Sequence, residues 1–533
     1  MATTSVPGWC CVRWGRSDVV LIAPHGGRRP PGDLAAPRER KVNDLHTAQL
    51  TAELAAALDA SAIINDACDR NQVDLNRISQ VRQHAPWFLD LMVDAIARVL
   101  ARHPQAQIFI VHGWNVGQPK CDLGVGGVED QAGLRSIANA TLSVAPEYWA
   151  SRVAHFRSVC GQSGIATPVG ERYPAAHRNN LLQLLTPRFG DATDHRIHQL
   201  AAWAAAGQIN ALQLELGIPL RWPGPLRAAL QTAAVRAFGE PSWRTYRYAP
   251  PTPRRAPSNG MLGFHFHDPG CDLTLFTSIT PTGSVTSGRL LLFLGGQEIA
   301  LFTGEEPDLR GTVGGLEYEA IGDGFALRFH GHASRLADAG LYLDLEAALA
   351  ASVLASVRLD LRYEPLVEAP AAQPQAGRFS GTLRIDGRDV AITARGFFDP
   401  AVALRGPGSH AARTHLAAMF DDRTALSVRI ADGDAVLKGP VMYRGQIQLH
   451  PHGQLAVAHD GDEYTPRQFR LRLAGASEPV VAHPLARMPI LRPLSDGAHA
   501  RITFGPARFE WDGRLGWGVY EYARRVTPRG SSA

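Results

Sequence analysis

The sequence is poor in cysteine and contains no long apolar run. Its six cysteines include no Cys-x-x-Cys pair, which disfavours both a disulfide framework and a structural zinc site built on thiolates. No segment approaches the roughly 20-residue apolar run that spans a bilayer. The first eight residues show no basic segment followed by an apolar one. These absences predict a cytoplasmic protein with reduced cysteines and no membrane partner.

Lysine is almost absent, so the positive charge comes from arginine. Lys41, Lys120 and Lys438 are the only lysines among 54 basic residues, which is typical of a GC-rich bacterial genome. The 50 acidic residues leave a net charge of +4, and the arginines are scattered rather than clustered. Such a charge is typical of a solvated surface, so we expect no nucleic-acid partner.

The N-terminal part of the chain alternates short apolar runs with helical stretches. Residues 19–23, 62–64 and 107–111 read as buried strands, and residues 45–58 and 87–100 read as helices. This alternation predicts an α/β domain with a mostly parallel sheet of the phosphorylase- or hydrolase-like kind. At 533 residues the chain is long enough for about three domains, so we expect a multidomain protein.

Residues 249–257 are rich in proline and predict a stiff linker. Beyond them, short alternating strands separated by Gly, Asp and Pro turns predict an all-β region of two lipocalin-like barrels or sandwiches. Residues 364–374 predict a second break. The expected domains are therefore an α/β domain over 1–245, a linker over 246–258, and β domains over 259–368 and 369–533.

Two histidines close apolar runs that predict strands. His25 follows residues 19–23, and His112 follows residues 107–111. Ligands of open α/β sheets bind at the carboxyl ends of the strands, so both imidazoles fall where a metal site belongs. Arg28 occupies the position at which an HxxE motif would supply the third ligand. We expect Asp44 to be that ligand, with His46, Asp33 and Glu39 as alternatives.

Polar residues with complementary chemistry accompany this candidate metal site. Asn76 and Arg77 follow a strand-like stretch that contains Asp74, and a guanidinium beside an amide can bind a carboxylate in two places. Arg70 can join them. Glu215 lies inside an apolar strand, where an ionised carboxylate is costly without a partner, and we interpret it as a general base.

These motifs together resemble the N-formylglutamate amidohydrolase family, which is related to zinc carboxypeptidases. The resemblance covers about the first 235 residues and rests on five pieces: Pro24 to Gly27 with Pro30, Asp44 to Thr47, Arg70 with Val73 to Arg77, His112 and Gly113 with Asp122 to Gly124, and Gln213 to Glu215. Gly26 and Gly27 depart from the family's Ser-Gly, and Gly113 departs from its His-Ser turn.

The resemblance implies a zinc-dependent hydrolase that cleaves an amide bond of a small, carboxylate-bearing N-acyl amino acid or peptide. By this resemblance Zn²⁺ would be held by His25, Asp44 and His112. Asn76 and Arg77 would bind the substrate carboxylate, and Glu215 would be the catalytic base. The alternatives are a non-catalytic ligand-binding protein, or a lipocalin-like isomerase or hydratase that acts on an apolar small molecule.

The C-terminal part carries a weaker resemblance. Residues 395–400 and 516–525 resemble two-barrel lipocalin-like proteins related to carotenoid hydratase, which implies an apolar ligand in the β region. His265 and His267 alternate along a strand and are interpreted mainly as solvent-facing, with metal binding as the alternative. A group of aromatic residues is interpreted as core or rim rather than as a ligand platform: Trp511, Trp517, Tyr520 and Tyr522.

Overall fold

The computed structural model contains two compact units, the first within Met1–Leu34 and Arg40–Pro253 and the second within Arg254–Ala533. We refer to them as the α/β unit and the β unit. Among the helices of the described residues, none is long and apolar enough to cross a membrane. The structure describes residues 4–6, 8–28, 41–130, 133–137, 139–239, 262–282, 285–307, 312–366, 373–400, 413–431, 435–494 and 498–526.

The α/β unit contains a seven-stranded sheet in the order β1-β2-β4-β3-β5-β9-β6, and a separate hairpin of β7 and β8. Only the central strands β4, β3, β5 and β9 run parallel, whereas β1, β2 and β6 pair antiparallel. The sheet is therefore mixed, and the predicted parallel arrangement is present in its four central strands only. The strands are β1 Thr4–Val6, β2 Cys10–Arg13, β3 Val19–Ala23, β4 Ser61–Asn65, β5 Ala106–Gly113, β6 Cys121–Gly124, β7 Gly127–Asp130, β8 Gly133–Ser136 and β9 Ile209–Leu216.

Helices cover both faces of this sheet, which explains why its central strands are apolar throughout. Along β3, Val19 and Leu21 pack into the core formed with α1, α5 and α8, while Val20 and Ile22 pack into the core formed with α2, α3 and α6. The helices are α1 Thr47–Leu58, α2 Ile78–His84, α3 Pro86–Leu100, α4 Pro146–Tyr148, α5 Ala154–Gln162, α6 His195–Ala205, α7 Ile218–Arg221 and α8 Pro225–Ala234, with 3₁₀ turns at Leu181–Leu185 and Pro187–Phe189 and π turns at Trp149–Val153 and Val235–Gly239.

The first sheet of the β unit is antiparallel and curls until β13 pairs with β16. This pairing joins eight strands, β10 to β13 and β16 to β19, in a closed circuit around an apolar core. The elements are β10 Leu262–Asp268, β11 Leu273–Thr282, β12 Val285–Phe293, β13 Ile299–Pro307, β14 Thr312–Val313, β15 Leu316–Ile321, β16 Gly324–Leu336, a 3₁₀ turn at Ala339–Leu343, α9 Leu345–Ala351, β17 Val353–Pro365, β18 Gln375–Ile385 and β19 Arg388–Asp399.

The second sheet of the β unit is also antiparallel, in the order β23-β22-β21-β20-β29-β28-β26-β25-β24, with β27 paired to β28. Side chains of the two sheets pack together in one buried core, which includes Phe293 of the first sheet and Met488 and Phe504 of the second. The strands are β20 Arg413–Asp421, β21 Thr424–Ala431, β22 Pro440–Tyr443, β23 Gln446–Leu449, β24 Gly453–His459, β25 Pro466–Leu473, β26 Val480–Pro484, β27 Met488–Pro493, β28 His499–Trp511 and β29 Arg514–Val526.

An all-β C-terminal region is thus confirmed. The expected linker over 246–258 lies outside the described residues. The expected boundary at residue 368 falls between β17 and β18, which are neighbouring strands of the first sheet. The change from one sheet to the other occurs between Asp399 and Arg413. The domain boundaries themselves stay predictions.

Candidate functional site

Three side chains named from the sequence meet at one edge of the α/β sheet. His25 lies two residues beyond β3, and His112 is the next-to-last residue of the adjacent parallel strand β5. Asp44 precedes α1, and its backbone N–H donates to the carbonyl oxygen of His25 at 2.8 Å. The carboxyl ends of parallel strands meet at the same edge, so the fold brings both imidazoles to the place where open α/β sheets bind ligands.

The side chains of His25, Asp44 and His112 converge on one another and are all buried. Oδ2 of Asp44 lies 3.3 Å from Nδ1 of His25 and 3.0 Å from Nδ1 of His112. The two imidazole rings meet edge to face, with centroids 4.8 Å apart. Two imidazole nitrogens and one carboxylate oxygen within 4.8 Å of one another are a donor set that suits a catalytic zinc ion, so these residues fit the metal that the sequence implies.

A second layer of polar contacts orients these three residues. Nε2 of His25 lies 2.7 Å from Oδ1 of Asp74, and Oδ2 of Asp74 accepts from Lys41 Nζ at 3.0 Å. Nη1 of Arg70 donates to Oδ1 of Asp44 at 3.0 Å. A carboxylate on the far nitrogen of a metal-binding histidine fixes the tautomer and the ring orientation. Asp74 therefore takes an orienting position that sequence reasoning missed, because chain spacing does not show which nitrogen an acid will face.

The buried carboxylate of Asp44 is held in its charged form. Burial by itself raises the pKa of Asp44, but hydrogen bonds from His112 and His25 and the charge of Arg70 outweigh it and hold that pKa well below its usual range. Burial lowers the pKa of His112 to about 4, although the contact with Asp44 opposes the shift. His112 is therefore neutral near pH 7, the form in which an imidazole can bind a metal. Its Nε2 is buried and has no hydrogen-bond partner among the described residues.

Glu215 lies on β9 directly beside His112 in the parallel register. It is buried, and Nε2 of Gln213 donates to its Oε1 at 2.8 Å. Burial raises the pKa of Glu215 well above its ordinary value, and the negative charges of Asp44 and Asp122 add to the effect. A carboxyl group with a raised pKa beside a candidate metal site is a candidate for proton transfer.

This raised pKa predicts a pH-dependent stability. The folded protein binds a proton at Glu215 more tightly than the unfolded chain, whose glutamate pKa is about 4.3. The resulting stability is present below that pH and is lost as pH rises toward the pKa of the folded state. In chelator-treated protein, Glu215→Gln should therefore gain in melting temperature over the wild type, by a margin that grows as the pH rises above the glutamate pKa of the unfolded chain, about 4.3. If the difference in melting temperature did not change with pH, the raised pKa of Glu215 would be refuted.

Asn76 and Arg77, which were predicted to bind the substrate carboxylate, lie beside the group of His25, Asp44 and His112 and are not part of it. Val73 and Asp74 lie in an irregular segment between two turns and not in the strand-like stretch expected from the sequence. Nε of Arg77 lies 3.8 Å from Oδ2 of Asp74, and the Arg77 side chain is 39% exposed. Oδ1 of Asn76 accepts from the backbone N–H of Leu181 at 3.3 Å. Arg77 thus has a guanidinium edge available to solvent and to a ligand.

Of the other candidate third ligands, the structure describes only His46. The ring of His46 packs on Trp222 with centroids 4.4 Å apart, and His46 is not part of the buried group. Burial and the charges of nearby arginines, Arg221 first, lower the pKa of His46 to about 4. Arg28 is exposed. Two further alternatives lie outside the described residues: Asp33 and Glu39.

Arg221 is a second residue that sequence reasoning missed. It is fully buried and donates to the carbonyl oxygens of Leu45 at 2.9 Å and Trp114 at 3.1 Å. It therefore ties the segment after Asp44 to the segment after His112. A Cβ atom at position 113 would lie 2.4 Å from Nη1 of Arg221, which explains why glycine follows His112.

The β unit places its two strand histidines inside the protein. His265 and His267 are both buried, so the expectation of a solvent-facing pair is wrong. The second sheet covers this face of β10: the ring of His267 stacks on Trp517, and the ring of His265 lies near that of His415. The other aromatic residues singled out from the sequence are buried in the second sheet's core: Trp511, Tyr520 and Tyr522.

Comparison with known proteins places similarity in the β unit. A family model described as a domain of unknown function, DUF7064, matches residues 360–526, less than half of the chain. A search of curated proteins gives no match. The N-terminal resemblance to amidohydrolases has no support from these comparisons.

Two solved structures show weak similarity. The crystal structure of kievitone hydratase from Nectria haematococca is 9% identical, covers 50% of this chain and 88% of that chain, and has a TM-score of 0.31. The crystal structure of Pseudomonas aeruginosa OccK5 is 13% identical, covers 50% of this chain and 63% of that one, and has a TM-score of 0.12. Both TM-scores are too low to establish a shared fold.

Proposed function

We propose that the α/β unit is a metal-dependent hydrolase that cleaves an amide bond of a small, carboxylate-bearing N-acyl amino acid or peptide. The observation that carries the proposal is the buried meeting of His25, Asp44 and His112, with Glu215 beside His112 in register. Buried polar groups in this number are costly unless they serve a purpose, and they lie where α/β sheets bind ligands.

Each residue of the site has a separate role in this proposal. His25, Asp44 and His112 would hold the metal, and Asp74 would orient His25 through its Nε2. When bound, a zinc ion supplies Lewis-acid catalysis by polarising a carbonyl group and making water more acidic. Glu215 accepts a proton from the attacking water and returns it to the leaving amine, for which its raised pKa is suited.

The substrate carboxylate would be bound by Arg77 and Asn76, with Arg70 as a further donor. Arg70 already donates to Asp44 through Nη1, whereas its buried Nε has no hydrogen-bond partner among the described residues. The exposed edge of Arg77 gives an approaching carboxylate a planar donor.

Arg77→Met should raise KM more than it lowers kcat, because this contact binds ground state and transition state alike. We expect KM to rise about 10-fold or more, in line with the roughly 1.5–3 kcal/mol of a hydrogen bond to a charged group. The check is steady-state kinetics on an acyl amino acid and on its amide, which lacks the carboxylate. Equal losses on both substrates would contradict the role of Arg77.

The experiment that tests the function combines metal analysis with a substrate screen. Wild type and His112→Ala, purified without added zinc, are analysed for bound metal and then incubated with a panel of N-acyl amino acids, with detection of the released amine. The expected result is that His112→Ala binds one equivalent of metal fewer than the wild type, and that only the wild type releases the amine. Absence of metal at His112 even after zinc is added back would overturn the proposal.

A second candidate function is ligand binding or hydratase- or isomerase-type chemistry in the β unit. The observation that favours it is a polar group between the two β sheets, formed by His265, Asp399 and His415, which an apolar core does not require. The similarity to kievitone hydratase is too weak to carry this candidate by itself. Solvent extraction of the full-length protein followed by mass spectrometry tests it, since a retained apolar molecule that His265→Gln loses would favour it.

A further inference from the structure

A second group of metal-binding side chains lies in the β unit. His265 is on β10, Asp399 ends β19, and His415 is on β20, which belongs to the other sheet. Their ligand atoms lie within 4.8 Å of one another. His265 and Asp399 are buried, and His415 is partly buried.

The strand register explains why these residues meet. His265 pairs with Phe397 on β19, and Asp399 lies two residues further along, so both side chains point to the same face of the first sheet. His415 pairs with Arg429 on β21. The guanidinium of Arg429 forms a salt bridge with Asp399, so the two sheets face each other across this group.

One atom of the group lacks a partner. Nε2 of His265 is buried and forms no hydrogen bond with any of the described residues. A buried nitrogen without a hydrogen-bond partner is energetically unfavourable in a folded protein. The ring is held by aromatic neighbours, with centroids 5.5 Å from Phe397 and 5.8 Å from His415, so it cannot turn toward solvent without disturbing the core.

The electrostatic setting keeps both imidazoles in the metal-binding form. Burial lowers the pKa of His265 to about 3, and burial with the charge of Arg429 lowers the pKa of His415 well below its usual value. Both rings are therefore neutral near pH 7, the form in which an imidazole can bind a metal. The guanidinium of Arg429 donates to Oδ2 of Asp399.

We propose that His265, Asp399 and His415 form a second metal site, which binds a divalent transition metal of the zinc type between the two β sheets. Two imidazoles and one carboxylate select such a metal over magnesium or calcium, which prefer oxygen ligands. The group repeats the composition of the cluster in the α/β unit, where Arg70 likewise contacts the carboxylate. The proposal is independent of the hydrolase function, because the two groups share no residue.

The test counts metal ions in full-length protein. Wild type, His112→Ala, His265→Gln and the double variant are stripped with a chelator, dialysed against Co²⁺ and analysed for bound cobalt and visible absorption. If both sites exist, the expected stoichiometries are two, one, one and none. If only the β-unit site exists, the wild type binds one ion, which His265→Gln loses and His112→Ala keeps. Stoichiometry unchanged by His265→Gln would overturn the proposal.

Two further variants distinguish the loss of a metal ligand from misfolding of the β unit. His267→Gln changes the other buried histidine of β10, which contacts Thr274 at 2.8 Å and is outside the group, so it should bind as much cobalt as the wild type. His415→Gln provides the second ligand test, because glutamine can still reach Ser427, the present partner of Nε2. Loss of one equivalent in His415→Gln with an unchanged near-ultraviolet dichroism spectrum supports the site. Equal loss in His267→Gln refutes it.

Discussion

Replacing Asp44 by asparagine will abolish metal binding in the α/β unit and destabilise its fold. Asp44 accepts from Arg70 through Oδ1 and faces both histidines through Oδ2. Asparagine keeps one acceptor and turns a donor toward groups that already donate. Removing one partner of a buried charged network costs about 3–5 kcal/mol. Metal affinity should fall by more than the roughly 10–100-fold typical of losing an outer partner.

The measurements for Asp44→Asn are metal content and denaturant unfolding of the chelator-treated protein. Asp69→Asn is the matched control, since Asp69 is a buried acid of a nearby loop that accepts from Asn43 at 2.9 Å and is outside the metal group. Asp74→Asn should show the intermediate effect of an outer partner. Metal retained by Asp44→Asn at wild-type affinity would remove Asp44 from the site and reopen the choice of the third ligand.

Replacing Glu215 by glutamine will lower kcat and kcat/KM together by about 10²–10⁴-fold, the usual contribution of a general base. Glutamine has nearly the same shape and can still accept the hydrogen bond from Gln213. The buried strand therefore stays intact, and only the ability to take a proton is lost. Because Glu215 is outside the group of His25, Asp44 and His112, metal content should not change.

The decisive comparison for Glu215→Gln is activity against metal content in the same preparation. Full metal with lost turnover is expected for a base. Loss of metal and activity together would instead make Glu215 a ligand. Full activity would mean that another group accepts the proton. Gln213→Leu serves as a control that removes the neighbour of Glu215 and leaves the carboxyl group in place.

The sequence allowed good predictions of which polar residues lie together at the strand ends. His25 and His112 follow apolar runs, and the structure brings them together with Asp44. Glu215 was expected inside an apolar strand, and β9 is buried along its whole length. The contact between His25 and Asp74 was not predictable, because it depends on the path of an irregular segment 49 residues further along the chain. Their roles in metal binding and catalysis stay predictions.

The errors concern relations between strands that are distant in sequence. Strand patterns reveal burial but not direction, so the antiparallel edges of the first sheet were missed. Residues 364–374 have the composition of a linker, and the domain boundary expected there stays a prediction. The neighbouring strands β17 and β18 pair with each other in the first sheet, which composition alone does not show. His265 and His267 alternate with Phe264 and Phe266, a pattern typical of a strand with one solvent-exposed face. A second sheet covers that face, which no local pattern shows.

The closed circuit of eight strands in the β unit has a consequence for local unfolding. Where the circuit is closed, as at Ile299–Leu301 of β13, a strand has paired neighbours on both sides, so its amide protons should exchange with solvent only through opening of large parts of the circuit. The second sheet ends instead in β23, whose four residues are all exposed, and in β24. Deuterium should therefore enter at these two strands first, and contact between neighbouring molecules through unpaired backbone should begin there.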